Sequence, residues 1–214
     1  DGALNLVNGE YLDEQARRLI ESQGHPSTAL GAGKLTMSQR PYLGVLIGGD
    51  TKRFRLDKDL VSKIIKQVKQ AARDLNADIL LTTSRRTSAE IENLLESEFM
   101  DYAGTKLLVI ANKRNIPEAV GGILGLSSIV IASPESISMI SEAANSKKYV
   151  IVFNARGLDD KHRRFLDYFK EKKYISLVEA GDLGKAIRDL WQDKPQLSCL
   201  NDNSRVREAV KLLI

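Results

Sequence analysis

Six short apolar runs punctuate the chain: "YLGVLIGG" (42–49), "ADILLTTS" (77–84), "TKLLVIAN" (105–112), "SSIVIAS" (127–133), "YVIVFN" (149–154) and "YISLVEA" (174–180). Each is rich in Val, Ile and Leu and lacks polar alternation, the pattern of strands covered on both faces of a parallel sheet. Between the first two runs, "KDLVSKIIKQVKQAARDL" sets Leu60, Val61, Ile64, Ile65, Val68, Ala71, Ala72 and Leu75 on one stripe with lysines opposite. That spacing predicts an amphipathic helix. Further helices are expected at about 87–100, 116–126, 137–146, 160–172, 181–192 and 203–213. The repeated β-α-β order predicts an α/β fold, a doubly wound Rossmann-like parallel sheet of about six strands.

The first 40 residues read differently. "EYLDEQARRLIESQG" predicts a helix, and "GHPSTALGAGKLTMSQRP" (24–41), punctuated by Gly, Ser and Pro, reads as a linker or loop. The expected organisation is an N-terminal helix and linker over 1–40, then one Rossmann-like domain over 41–214. A length of 214 residues suits one well-filled α/β domain. Because the chain opens at Asp1 on a non-strand segment, it is expected to be a fragment or processed form of a longer protein.

Composition narrows the function classes. With 43% hydrophobic and 28% charged residues, a packed body is expected rather than disorder. The net charge of +4 suits anionic ligands but falls short of a dedicated nucleic-acid binder, and no aromatic stacking platform accompanies the basic loops. No nucleic-acid partner is expected. Cys199 is the single cysteine and cannot form an internal disulfide; with only His25 and His162 beside it, no zinc site and no other metal site is expected. No apolar stretch is long enough for a membrane span and no signal pattern opens the chain, so a reducing, cytoplasmic setting is expected.

In open α/β sheets, ligands bind beyond the carboxyl ends of the strands, where the strand order reverses. For a 3-2-1-4-5-6 order, the loops after the first, second and fourth strands surround that point. The first is "IGGDTKRF": Gly48 and Gly49 let backbone approach a ligand, and Lys52 and Arg53 follow, although a glycine turn with solvated charge reads equally well. The second is "TTSRRT", where Ser84, Arg85 and Arg86 precede a helix starting near Thr87 or Ser88; the bland alternative is an N-cap with arginines paired to surface carboxylates. The third is "ASPESISMISEAANS": Ser136 or Ser138 caps a helix whose free amides suit a diphosphate, and Glu142 stands one turn on, where a carboxylate accepts ribose hydroxyls. Its alternative is a capped amphipathic helix with an exposed Glu. "DDKHRRF" adds His162, Arg163 and Arg164 at a helix start, either an acid-base or phosphate-binding group or plain surface. Lys170–Lys173 reads as a solvated face, and Trp191 as core or interface packing.

"VLIGGDTKRF", "TTSRRT", "ESISMISEA" and "KHRRF" occur in the order and spacing of the Elm-type mitochondrial fission family, a mainly bacterial group named after a plant member, and the resemblance runs from about Ala3 to "NDNSRVREAVKLL". That family resembles GT-B glycosyltransferases, and this chain is similar to the C-terminal, donor-nucleotide half. The resemblance implies diphosphate contacts from Ser136, Ser138 and Met139, and a ribose contact from Glu142. It implies a nucleoside diphosphate sugar as donor substrate, no other cofactor, and a partner N-terminal half that often carries the catalytic base. Glu135 stands where the family usually has aspartate, "NIP" (115–117) replaces an Asn-Pro-aromatic motif, and "NSKKYV" (145–150) lacks the usual Gly-Lys-Pro. With Glu135, His162 and Arg163 counted as cleft residues, the expected function is a nucleotide-sugar-binding domain of a glycosyltransferase. The alternative from the same family is a non-catalytic recruitment protein that binds a protein partner at a membrane surface. Nucleotide-sugar epimerisation ranks lower, because no pair of acid-base carboxylates is evident.

Overall fold

The computed structural model describes residues 7–22 and 40–197. The expected helix at 203–213, most of the linker 24–41, His25 and Cys199 lie outside the described residues.

All six apolar runs form strands: β1 (Tyr42–Ile47), β2 (Asp78–Thr83), β3 (Thr105–Val109), β4 (Ile129–Ala132), β5 (Tyr149–Phe153) and β6 (Ser176–Val178). They make one parallel sheet in the order β3-β2-β1-β4-β5-β6. This is the 3-2-1-4-5-6 order for which the loops after the first, second and fourth strands surround the reversal point. β1, β2 and β4 are buried at every position, which explains their unbroken apolar sequences.

The helices expected within the described residues are present: α1 (Gly9–Ser22), α2 (Lys58–Asp74), α3 (Ala89–Phe99), α4 (Ala119–Leu126), α5 (Ile137–Asn145), α6 (Asp160–Glu171) and α7 (Leu183–Asp193). α2 buries Val61, Ile64, Ile65, Val68, Ala71 and Ala72, the stripe read from its spacing. The strand sequence runs one way from β1 to β3 and the other way from β4 to β6. Right-handed crossovers therefore put α2 and α3 on one face and α4, α5 and α6 on the other. α7 returns to the first face and packs on α2, with Trp191 against the core.

α1 lies along α4, and its Leu12 and Leu19 join the same core cluster as the sheet. The close approach depends on glycines in α4. A Cβ on Gly125 would sit 2.5 Å from the Leu12 carbonyl oxygen, and one on Gly122 would sit 2.5 Å from a Leu19 methyl.

Candidate functional site

β1 pairs with β2 on one side and β4 on the other, so the strand order reverses between β1 and β4. Beyond their carboxyl ends the loops after β1, β2 and β4 meet, the edge at which ligands bind in open α/β sheets. The loop after β1 opens on Gly48 and Gly49, both buried. Their amides point inward: Gly48 N–H donates to Ser133 Oγ at 2.7 Å, and Gly49 N–H donates to Glu135 Oε1 at 2.7 Å. These two amides are thus held by the protein, while Lys52 and Arg53, three and four residues on, are exposed.

The loop after β2 hangs on the same bend. Thr87 Oγ1 donates to the Gly48 carbonyl and accepts from Ser84 N–H at 3.0 Å, and the Asp50 amide donates to the Arg86 carbonyl at 2.9 Å. Ser84 Oγ accepts from the Arg86 amide at 3.2 Å, closing a tight turn. The Arg85 and Arg86 side chains are exposed, and no carboxylate among the described residues lies within ion-pair distance of either. Ser88 caps α3 by accepting from Ile91 N–H.

The loop after β4 carries Glu135, 2% exposed, and Ser136, 5% exposed. Burial pushes the Glu135 carboxyl above its usual range, with hydrogen bonds and the Arg86 charge opposing that shift. Arg86 therefore acts electrostatically on the residue just ahead of α5. Ser136 occupies the N-cap of α5 without accepting a hydrogen bond from its first turn, so the terminal amides there are open to an outside acceptor. Ser138 is exposed and donates to Glu142 Oε1 at 2.9 Å; Met139 is half-buried against the core. Burial also raises the Glu142 carboxyl, and the Ser138 hydrogen bond opposes it.

His162 stands beside the loop after β5. Asp159 caps α6 by accepting from His162 N–H at 2.9 Å, and the same carboxylate oxygen meets His162 Nδ1 at 2.6 Å. The Asp159 carboxyl is held below its usual range by those bonds and, further down in weight, by the Arg53 charge. That links the α6 start electrostatically to the loop after β1. Arg163 is engaged elsewhere, its Nε donating to the Leu158 carbonyl at 3.0 Å.

The family model described as mitochondrial fission ELM1 matches residues 2–212. The chain belongs to this family. One curated relative of this ELM1-family chain is the uncharacterized protein RP120 of Rickettsia prowazekii (strain Madrid E), 22% identical over 176 residues, which are 82% of this chain and 47% of RP120. The chain thus spans about half the length of the curated relative it matches. Among solved structures, the solution structure of ALG13 is similar at a TM-score of 0.51 with 18% identity, covering 74% of this chain and 89% of that one. At that identity the likeness speaks for the Rossmann-like fold alone. Homoserine dehydrogenase of S. aureus aligns over 66% of this chain and 32% of its own at a TM-score of 0.33, too low to carry an argument.

Across the ELM1-family chain, the structure brings Gly48, Gly49, Ser84, Arg86, Glu135 and Ser136 together. His162 and Arg163 sit one strand further along the sheet edge. Reading the sequence missed Thr87 as a hub, Ser133 and Asp159. A signal for Asp159 was present, an Asp three residues ahead of His162 at a helix start. Thr87 and Ser133 gave none, since their partners are distant in the chain. Among the described residues, no group of three or more His, Cys, Asp or Glu could hold a metal ion, and no helix is long and apolar enough to cross a membrane.

Proposed function

We propose that this domain binds the nucleoside diphosphate of a nucleotide sugar in the crevice between β1 and β4, as the donor half of a GT-B-type glycosyltransferase. The observation that carries the proposal is that the Arg86 loop and Glu135 are held on the same bend, through Asp50 N–H on the Arg86 carbonyl and Gly49 N–H on Glu135 Oε1. The uncapped first turn of α5 begins just after Glu135. Forked donors and helix amides then face one diphosphate from two sides. The amides of Ser138 and Met139 take phosphate oxygens, Arg85 and Arg86 clamp them, and Lys52 adds charge at the rim. Glu142, one turn along α5, releases Ser138 Oγ to accept the ribose hydroxyls.

The chemistry of such a site is charge stabilisation. As the sugar leaves, negative charge builds on the nucleoside diphosphate, and preorganised donors are strongest against charge that develops. Catalytic groups acting on the acceptor would come from a second domain, in keeping with a chain that spans about half of its relative. The cytoplasmic setting expected from the sequence belongs to this proposal as well, and peripheral membrane attachment to the recruitment reading.

Calorimetric titration with UDP, GDP, ADP and CMP tests it. One nucleotide should bind saturably, and Arg86→Ala should weaken it about tenfold or more, as expected for a lost charge-assisted hydrogen bond. Glu142→Ala should weaken the nucleoside diphosphate but leave inorganic pyrophosphate binding unchanged. Absence of binding by a folded domain would favour the recruitment reading over the transferase reading.

A further inference from the structure

The carboxyl group of Glu135 joins segments that are far apart in the chain. Its Oε1 accepts from Gly49 N–H at 2.7 Å, a partner 86 residues away, and from Ser133 Oγ at 3.1 Å. Ser133 Oγ in turn accepts from Gly48 N–H at 2.7 Å. One oxygen therefore gathers the end of β4 and the bend after β1. The bend carries the next loop with it, through Thr87 Oγ1 on the Gly48 carbonyl and Asp50 N–H on the Arg86 carbonyl.

Only glycine fits this arrangement. A Cβ on Gly48 would lie 1.7 Å from Glu135 Oε1, and one on Gly49 would lie 2.1 Å from the Arg86 carbonyl carbon. The other oxygen, Oε2, is buried with no hydrogen-bond partner. Both acceptor contacts thus run through Oε1, which stays an acceptor in the neutral carboxyl group, although these bonds are stronger to a carboxylate and oppose the shift. Burial favours the neutral form, and Arg86 is the charged side chain whose field opposes it. A neutral group also suits a crevice that receives an anion.

We propose that Glu135 is a positioning residue whose Oε1, acting as an acceptor, locks the Gly48–Gly49 bend and so fixes the Arg85–Arg86 loop in the arrangement that receives a diphosphate. The proposal rests on the diphosphate reading above, but the lock itself can be measured without a ligand.

Three variants separate the terms. Glu135→Gln keeps an acceptor where Oε1 stands and removes the charge. Glu135→Ala removes the acceptor. Gly48→Ala leaves Glu135 in the sequence and displaces its side chain. Amide hydrogen exchange at Gly49, read by NMR, reports the lock; calorimetry with UDP, GDP, ADP and CMP reports the crevice. In Glu135→Ala and Gly48→Ala, loss of the bonds should speed Gly49 exchange and weaken the bound nucleotide, each by about tenfold, with cooperative unfolding retained. Glu135→Gln should restore both.

A Gln variant as impaired as the Ala variant would overturn the acceptor role in favour of charge. Fast Gly49 exchange with full affinity in Glu135→Ala would overturn the positioning role. If the wild-type protein binds none of the four nucleotides, the diphosphate reading fails while the lock is still judged by exchange. Slow exchange kept by Gln and lost in Ala then supports it, and equal exchange in all three proteins overturns it.

Discussion

A buried carboxyl group makes folding sensitive to pH, and the sign depends on which form the folded state prefers. Glu135 is raised above its ordinary 4.5 by burial, so the folded chain holds that proton more tightly than the unfolded chain does. Its contribution to stability is complete below about 4.5 and is lost as pH rises through the folded value. Glu142 is shifted in the same direction and adds the same sign. Asp159, held below 3.8 by its bonds to His162, contributes above that value and loses its contribution as pH falls. Urea unfolding from pH 4 to 8 should therefore show wild-type stability declining more with rising pH than that of Glu135→Gln. Parallel curves for the two proteins would mean that the group ionises in the folded state as it does in the unfolded one. A second residue-scale expectation is that Arg85→Ala combined with Glu142→Ala leaves cooperative unfolding nearly intact, since neither side chain is fully buried. Arg85 and Arg86 stand out in the sequence because two adjacent arginines at a strand end are unusual chemistry, and Glu142 because it lies one turn into the helix that follows β4. Thr87 and Ser133 do not, because a hydroxyl declares its role only through its partner, and theirs lie 39 and 85 residues away.

At the scale of elements, nearly all of the fold was legible, because each strand is a separate apolar run and helices such as α2, α3 and α6 carry an apolar stripe behind a capping Asp or Ser. Asp57 shows how local that information is: it caps α2 by accepting from Leu60 N–H at 2.8 Å. Asp57→Ala should cost about 1 kcal/mol of stability, measured by chemical unfolding. The place of α1 was not legible, since a Gly- and Ser-rich stretch follows it and its docking depends on the small residues of α4. "AVGGILGL" is apolar throughout, and nothing in its periodicity says that Gly122 and Gly125 receive a backbone. Gly125→Val should destabilise the domain by about 1–3 kcal/mol through overpacking against Leu12 and Ala16. An unfolding midpoint equal to that of wild type would mean that α1 does not rest on α4 in solution.

For the whole molecule, a net charge of +4 understates the local field. Lys52, Arg53, Arg55, Arg85 and Arg86 are all exposed on the loops after β1 and β2, and none lies within ion-pair distance of a carboxylate among the described residues. Such charges attract an anion strongly only while salt leaves them unscreened. Because the screening length falls from about 10 Å at 0.1 M to about 3 Å at 1 M, nucleotide affinity measured by calorimetry should drop severalfold across that range. An affinity insensitive to salt would place the binding energy elsewhere than on this edge.

The position of β1 between β2 and β4 also orders events in time. β1 reaches β2 through one helix, but it reaches β4 only after three helices and two strands have intervened. Closing the longer loop costs more chain entropy and comes later in folding. The Glu135 bond to Gly49 spans that late seam. A nascent chain would thus complete its β1–β3 half first, and the nucleotide site proposed above would be whole only once β4 and the loop after it have joined β1.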